Sequence, residues 1–434
     1  MKRQFVITAA VCLLVPSLSW GAGFALFEAG NKALGMGGAF TAVADDPSAF
    51  FWNPAGMAFQ IDEGTQVMAG VIFITPSQDF TGSAPYPGEG YTASQESQIF
   101  YPPHFYLVMP LSSSVNLTLG AHTPFGLGTW WENEDTFAGR FLSKKADLQV
   151  IDLGGQVSWA VCENFAIGGG IDFMIGTIEL NRNAALINPY TQSLVDVAEV
   201  TLQTDEFENN AWAWNAGFLV KLGAGFSVGG MYRSGFDLKG TSAYGIFRQI
   251  PTGNPDFDAL VAATLPFNEE PRVTTVIEFP DHWQAGIAWS NEKFTLSAQY
   301  GEMGWSSFQE LAIQFPDYPY LNSTVREDYE DSNQYRFGAE WRASRSLAFR
   351  LGYGFDETPQ PIESMSPLLA DGDRDFYSVG LGFLSKHNTW GFDIGYEYLE
   401  MEARSTEGRS FDGYDGRFEN GTAHLFGASL TFKF

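Results

Sequence analysis

From residue 65 onward, apolar and polar side chains alternate with period two. In FAIGGGIDFMI, Phe165, Ile167, Ile171, Phe173 and Ile175 fall on one face, opposite Ala166, Gly168, Gly170 and Asp172. VNLTLGAH sets Val115, Leu117 and Leu119 against Asn116, Thr118 and His122, and YRFGAEW sets Tyr335, Phe337 and Trp341 against Arg336 and Glu340. Alternation of this kind marks half-buried strands, in a soluble sandwich or in a membrane barrel. Fourteen segments carry it, near 65–74, 103–109, 115–122, 147–160, 165–180, 211–221, 226–235, 281–290, 294–302, 333–341, 347–355, 376–384, 388–398 and 422–434. Six connections are tight and seven are long, in strict alternation. An even strand number, with short turns at one end and long loops at the other, predicts an all-β fold: a fourteen-stranded antiparallel transmembrane β-barrel.

The aromatic residues fit that reading. Trp159, Trp212, Trp214, Trp283, Trp289, Trp341, Trp390, Tyr396 and Tyr398 fall on outward faces, many near strand ends, where an interfacial girdle would lie. Lys2 and Arg3, the apolar run Phe5–Val15 and the small residues Ser19 and Gly21 read as a secretory signal peptide over 1–21, cleaved before Ala22. The organisation expected is therefore signal peptide 1–21, an N-terminal segment 22–64, and a barrel over 65–434. The sequence ends LFGASLTFKF, similar to the last strand of outer-membrane barrel proteins of Gram-negative bacteria. That location implies contact with outer-membrane lipid, lipopolysaccharide and the barrel assembly machinery, and the chain is expected to act as a monomer.

Charge and chemistry narrow the function. A formal net charge of −27 argues against nucleic acid as a partner. Cys162 is alone once the signal segment is removed, and His104, His122, His282, His387 and His424 show no metal-binding spacing. No metal, cofactor or catalytic residue is expected. The glycine-rich GMGG and GLGF lack the strand–loop–helix setting and lysine of a phosphate loop. An outer-membrane lipase with a Ser–His pair is the enzyme-class alternative.

Residues 22–64 are too long for a simple tail and too apolar to stay solvated. They contain DDPSAFFWNPAG, in which Asp46 and Pro47 suit a helix start, and Asn53 before Pro54 ends it after about one and a half turns. The nearest shelter is the barrel lumen, where the segment would form a hatch. AGF at 22–24, GMGGAF, ADDPSA and NPAG resemble, in order and spacing, the hatch of the FadL family of outer-membrane transporters for long-chain fatty acids and aromatic hydrocarbons. The resemblance runs through all fourteen strands. It implies passive uptake of a hydrophobic small molecule through an extracellular groove, a pocket above the hatch, and a lateral exit at a kink in the third strand, touching the hatch turn. Here that turn is Asn53, Pro54, Ala55 and Gly56.

The kink carries over to Thr123, Pro124, Phe125 and Gly126, since proline cannot donate to the ladder and glycine weakens it. The alternative is that TPFG begins a surface loop. Phe100, Phe125, Phe137, Phe141, Phe207, Phe247, Phe257, Phe308 and Phe315 fall in or beside long loops and suit an apolar groove, with Phe137, Phe141 and Phe257 the leading candidates. Asn254 and Pro255 predict a short helix over 255–264 that adds apolar side chains to it. Arg140, Arg233 and Arg336 are candidates to meet a ligand carboxylate, or else they neutralise lumen carboxylates such as Glu340. Fatty acid and neutral hydrocarbon remain open as ligands. The rival transporter reading is a plugged or general diffusion porin, which residues 22–64 disfavour.

Overall fold

The computed structural model describes residues 23–204 and 209–434. The signal-peptide segment 1–21 and Phe207 lie outside them. The wall is formed by β1 (Gln66–Gly82), β2 (Pro103–Pro110), β3 (Val115–Trp130), β4 (Lys145–Cys162), β5 (Phe165–Ile187), β6 (Asn210–Gly223) and β7 (Phe226–Arg233). It continues with β8 (His282–Ser290), β9 (Phe294–Met303), β10 (Ser332–Arg342), β11 (Leu347–Asp356), β12 (Arg374–Leu384), β13 (Trp390–Met401) and β14 (Gly416–Lys433). Each strand pairs antiparallel with the next, and β14 closes on β1 from Gln66↔Lys433 to Gly82↔Gly416. Closure leaves no end strand unpaired, the condition a β-structure must satisfy to span a membrane. Every predicted strand is present.

The strands run further than the alternation suggested on the long-loop side. β5 has 23 residues, roughly 75 Å at ~3.3 Å each, against a hydrocarbon core of ~30 Å. Besides four short strands of two to four residues, three longer segments read as loop are strands: Leu194–Thr204 pairs with the end of β5, Phe236–Gln249 pairs with it in turn, and Arg272–Phe279 adds on. Above the membrane both faces of such a strand meet protein or water, so no lipid enforces a clean alternation. The helix Asn254 was expected to cap is present at Pro255–Thr264, with Asn254 Oδ1 accepting from the Asp256 and Phe257 amides.

Outward and inward faces divide as the pattern requires. Trp159, Trp212, Trp214, Trp283, Trp341, Trp390 and Tyr396 are exposed, and Trp289 and Tyr398 are half-buried. Asn116, Thr118, His122, Asp172, Arg336 and Glu340 are buried, facing the lumen. Residues 23–64 fill that lumen with little regular structure: α1 (Asn31–Leu34), α2 (Ala49–Trp52) and two 3-10 turns. Asp46 accepts from Ser48 one turn before α2 instead of capping the helix itself, and Ser48 takes the cap position.

The wall holds this irregular backbone with inward polar side chains. Gln156 Nε2 donates to the Phe50 carbonyl and Gln284 Nε2 to the Trp52 carbonyl, each at 2.8 Å. Asn116 Nδ2 donates to the Met57 carbonyl, and Gln299 Oε1 accepts from the Phe40 and Thr41 amides. Inward glycines let the hatch come close: a Cβ at Gly338 would lie 2.6 Å from the Met36 carbonyl oxygen, and one at Gly168 would lie 2.4 Å from Pro54. Within GMGG, Gly37 and Gly38 take φ of 60° and 70°, which favours glycine, and turn the chain under Trp52. Because wall strands are hydrogen-bonded to each other and not through the hatch, removing residues 23–64 should leave a folded barrel. We expect that variant to show a large rise in ion conductance in planar bilayers; unchanged conductance would mean that the hatch does not occlude the lumen.

Candidate functional site

β3 bends where the sequence placed its kink. His122 pairs with Asp152 and Phe125 with Val150, so Thr123 and Pro124 together oppose the single residue Ile151. This is a β-bulge, one residue too many on one side of the ladder. Thr123–Gly126 are part of β3, which continues to Trp130, so they do not begin a loop. On its other edge β3 pairs with β2 only as far as Phe105↔Ala121. Above that pair the free edge is taken by the hatch arm: the Leu26 amide donates to the Pro124 carbonyl at 2.8 Å, and the Gly126 amide to the Phe24 carbonyl at 2.9 Å. Ala25 faces Phe125 between these bonds.

The hatch turn is elsewhere, which corrects the expected contact. Asn53 Nδ2 donates to the Thr41 and Phe218 carbonyls, its Oδ1 accepts from the Ala55 amide, and Pro54 lies against Gly168 and Gly217. Gly56 packs on Ala44. Gly168 is in register with Ser158, which is in register with Asn116, nine residues below Phe125 on β3. That is roughly 30 Å along the strand. The turn anchors the hatch to β5, β6 and β7. Phe24, Ala25 and Leu26 meet the kink.

Two cavities lie above the hatch. The outer one is a groove of about 540 Å³ among the long loops, lined by Phe141, Leu142, Val200, Leu202, Phe247 and Phe315, with Arg182 and Asp412 as its charged members. A smaller pocket of about 40 Å³ lies beneath it, lined by Phe24, Leu127, Leu148, Phe308 and Leu369 together with Asp147 and Glu327. Phe24 closes its base. The Phe24 ring packs against Trp305 at 4.5 Å, Phe308 at 5.3 Å, Phe279 at 5.6 Å and Phe125 at 6.3 Å between centroids. Of the predicted groove residues, Phe141 lines the cavity. Phe137 is stacked behind it on Trp131, and Phe257 is buried in the core beneath the helix Pro255–Thr264.

All three candidate arginines have carboxylate partners. Arg140 binds Asp196 through Nε at 2.8 Å and Nη2 at 3.2 Å. Arg336 donates to Asp356 at 2.9 Å between the rings of Phe27 and Phe376. Arg233 lies 3.6 Å from Asp172, covered by Phe51. The carboxylate suggested for them, Glu340, is instead bonded to Arg342 and Arg350. The cation on the groove wall is Arg182, which the sequence reading passed over because NRN lies beyond the predicted end of the fifth strand. Its Nη2 donates to Ser323 at 3.3 Å. Glu327, Asp147 and Phe24 were also missed; an acid in a long acidic loop or at a strand end gives no sequence signal of burial. Among the described residues, no group of His, Cys, Asp and Glu is placed to hold a metal ion.

Next to the arm, Glu28 has one carboxylate oxygen enclosed without a partner, facing Arg336, Asp356 and Glu397. Burial pushes its carboxyl from 4.5 up to about 7, outweighing the pull of Arg336. Asp46 is pushed up to about 6, again by burial, against the pull of Lys32.

A profile of the family described as outer membrane protein transport protein (OMPP1/FadL/TodX) matches residues 12–434. The long-chain fatty acid transport protein of Escherichia coli O6:H1 is 25% identical, covering 98% of this chain and 97% of that protein. Outer membrane protein P1 of Haemophilus influenzae is 23% identical, covering 91% and 89%. Among solved structures, a Pseudomonas aeruginosa FadL homologue superposes with a TM-score of 0.80 at 20% identity, covering 95% of this chain and all of that one. The toluene transporter TodX of P. putida gives 0.71 at 16% identity, covering 96% and 98%.

The Glu28 carboxyl implies a pH dependence of hatch docking. A docked Glu28 keeps its proton to about pH 7, whereas a released one ionises near 4.5. Docking is therefore most favourable below pH 4.5, weakens as pH rises to 7, and levels off above. Asp46 acts in the same direction from 3.8 to about 6. Channel-opening frequency or protease cleavage within 23–64 should rise over pH 4.5–7, and Glu28→Gln should flatten the upper part of that rise. An unaltered pH profile in the variant would show that Glu28 does not stay protonated when docked.

Proposed function

The chain belongs to the OMPP1/FadL/TodX family of outer-membrane transport proteins, and we propose that it carries fatty-acid-like or aromatic hydrophobes from an extracellular groove to a side exit between β2 and β3. Its activity is passive outer-membrane transport of hydrophobic small molecules. The observation that carries the finer reading is the sequence of apolar spaces above the hatch, ending at Phe24–Leu26 on the edge of β3 that β2 leaves free. In this reading the groove collects ligand, Phe24 guards the inner pocket, and Thr123, Pro124, Phe125 and Gly126 form the kink beside the exit. Asn53, Pro54, Ala55 and Gly56 hold the hatch on β5, β6 and β7.

Lateral release fits the energetics of the cargo. Each methylene transferred from apolar surroundings to water costs about 0.8 kcal/mol, so a molecule handed directly to lipid avoids that cost. The same figure makes ten buried methylenes worth about 8 kcal/mol, near micromolar binding before ordering losses. We read the chain as a conduit and not as an enzyme. Its first 21 residues are read as an export signal, and lipid and lipopolysaccharide as the partners of its outward aromatic band. The names of the relatives, long-chain fatty acid transport protein and toluene transporter, leave two cargo classes for this chain.

Ala25 and Phe125 face each other across a non-hydrogen-bonded pair, where Cα atoms lie about 4.5 Å apart and a disulfide can form. In cells lacking their own channel for these compounds, the full chain should raise uptake of labelled toluene or oleate. Oxidised Ala25→Cys/Phe125→Cys should lose that uptake by at least tenfold and regain it on reduction. Full transport by the oxidised variant would rule out release past this arm.

A further inference from the structure

The two cavities differ in charge. The groove has Arg182 on its wall, whose bond to Ser323 leaves other guanidinium N–H groups able to meet an anion, with Asp412 nearby. The inner pocket has Asp147 and Glu327 and, among the described residues that line it, no cation. Glu327 is fully enclosed, with Oε2 unpartnered. The charges that reach it, Asp328 and Asp412, are both negative. Arg326 beside it is committed to Asp328 and to the Phe411 ring at 4.4 Å. Lys145, two residues from Asp147, is held by Glu179 at 3.0 Å, and burial of the Asp147 carboxyl outweighs the pull of Lys145 on it.

We propose that Asp147 and Glu327 make the inner pocket selective for uncharged hydrophobic ligands, so that a carboxylate docked in the groove beside Arg182 is turned back while an alcohol or hydrocarbon of similar size passes. This rests on the transport reading above. A ligand carboxylate in this pocket would lose its hydration, find no cation on the lining and sit against the Asp147 carboxylate. The pocket already imposes that penalty on its own side chain: burial raises the Glu327 carboxyl to about 8. A neutral hydroxyl has no such cost and can accept from the protonated Glu327. The groove and the inner pocket thus act in series, the first tolerant of anions and the second not.

The test uses cells with an intact outer membrane that lack their own channel, expressing the full chain. Initial uptake of labelled dodecan-1-ol and dodecanoate at pH 7.5 is compared after subtraction of empty-vector rates. The expected result is at least tenfold faster uptake of the alcohol. Equal uptake of both would overturn the selectivity and leave the transport reading standing. Uptake of neither would overturn the transport reading itself. Glu327→Lys places a cation in the pocket and should shift the ratio toward dodecanoate by at least tenfold, with heat-modifiable gel migration reporting that the barrel is folded. Leu368→Arg, on the same pocket wall, serves if that variant does not fold. A folded variant with an unshifted ratio would overturn the assignment to this pocket.

Discussion

An irregular polypeptide buried inside a barrel must find a partner for nearly every backbone N–H and C=O it carries, and that requirement shapes the whole molecule. Residues 23–64 have two short helices, and their tight turns bond many of these groups within the segment but leave others open. The wall supplies partners for those. Gln156, Gln284, Gln299, Asn116 and Ser227 sit at inward positions and bond hatch backbone atoms directly. Inward glycines bring the two backbones within reach. The outward positions of the same strands answer a different solvent, and there the chain is aromatic and aliphatic. One strand therefore has to serve lipid on one face and a folded peptide on the other, which is why its two faces differ so sharply.

That division is what made the wall legible. Lipid on the outside enforces alternation at every second residue, so all fourteen wall strands could be read from pattern alone. The enforcement stops at the membrane surface. Leu194–Thr204, Phe236–Gln249 and Arg272–Phe279 are strands that pattern could not identify, because each is covered by protein on faces that vary along its length. Local chemistry was also legible: Pro124 marks the bulge in β3, and Asn254 with Pro255 marks the helix that follows. Long-range partners were not. Nothing in TPFG says that it meets Phe24 and not Pro54, and nothing in the spacing of Arg140, Arg233 and Arg336 names Asp196, Asp172 and Asp356. Residues such as Glu327 become informative only when the loops around them are assembled.

The aromatic cluster around Phe24 links hatch, wall and loops in one place. Phe125 comes from β3, Phe279 from the strand Arg272–Phe279, and Trp305 and Phe308 from the loop after β9. A pocket built from so many separate segments would collapse or fill with water if left open. The arm prevents this by supplying its own ring. Phe24 thus acts as an internal occupant of a site made for apolar groups, and a ligand that reaches the pocket competes with a side chain of similar chemistry.

This competition decides how much of the hatch has to move. Releasing all of it would break the bonds of the Asn53 turn and of every wall glutamine named above, and would expose Trp52, Phe50 and Phe40. Releasing the arm breaks two backbone bonds to β3 and the bonds of Gly23 with Asp371 and Arg374. At about 1 kcal/mol net for each hydrogen bond, those bonds amount to about 4 kcal/mol. The burial lost by Phe24 and Leu26, about 2–3 kcal/mol each, is replaced by that of the ligand when the ligand takes their place. Five further methylenes, at about 0.8 kcal/mol each, offset the bonds as well. A ligand of ordinary size can therefore displace the arm, whereas no single ligand offsets the loss of the whole hatch. The smaller movement is also the one that uncovers the free edge of β3, so on the proposed route the step that admits the ligand and the step that opens the wall would be the same displacement.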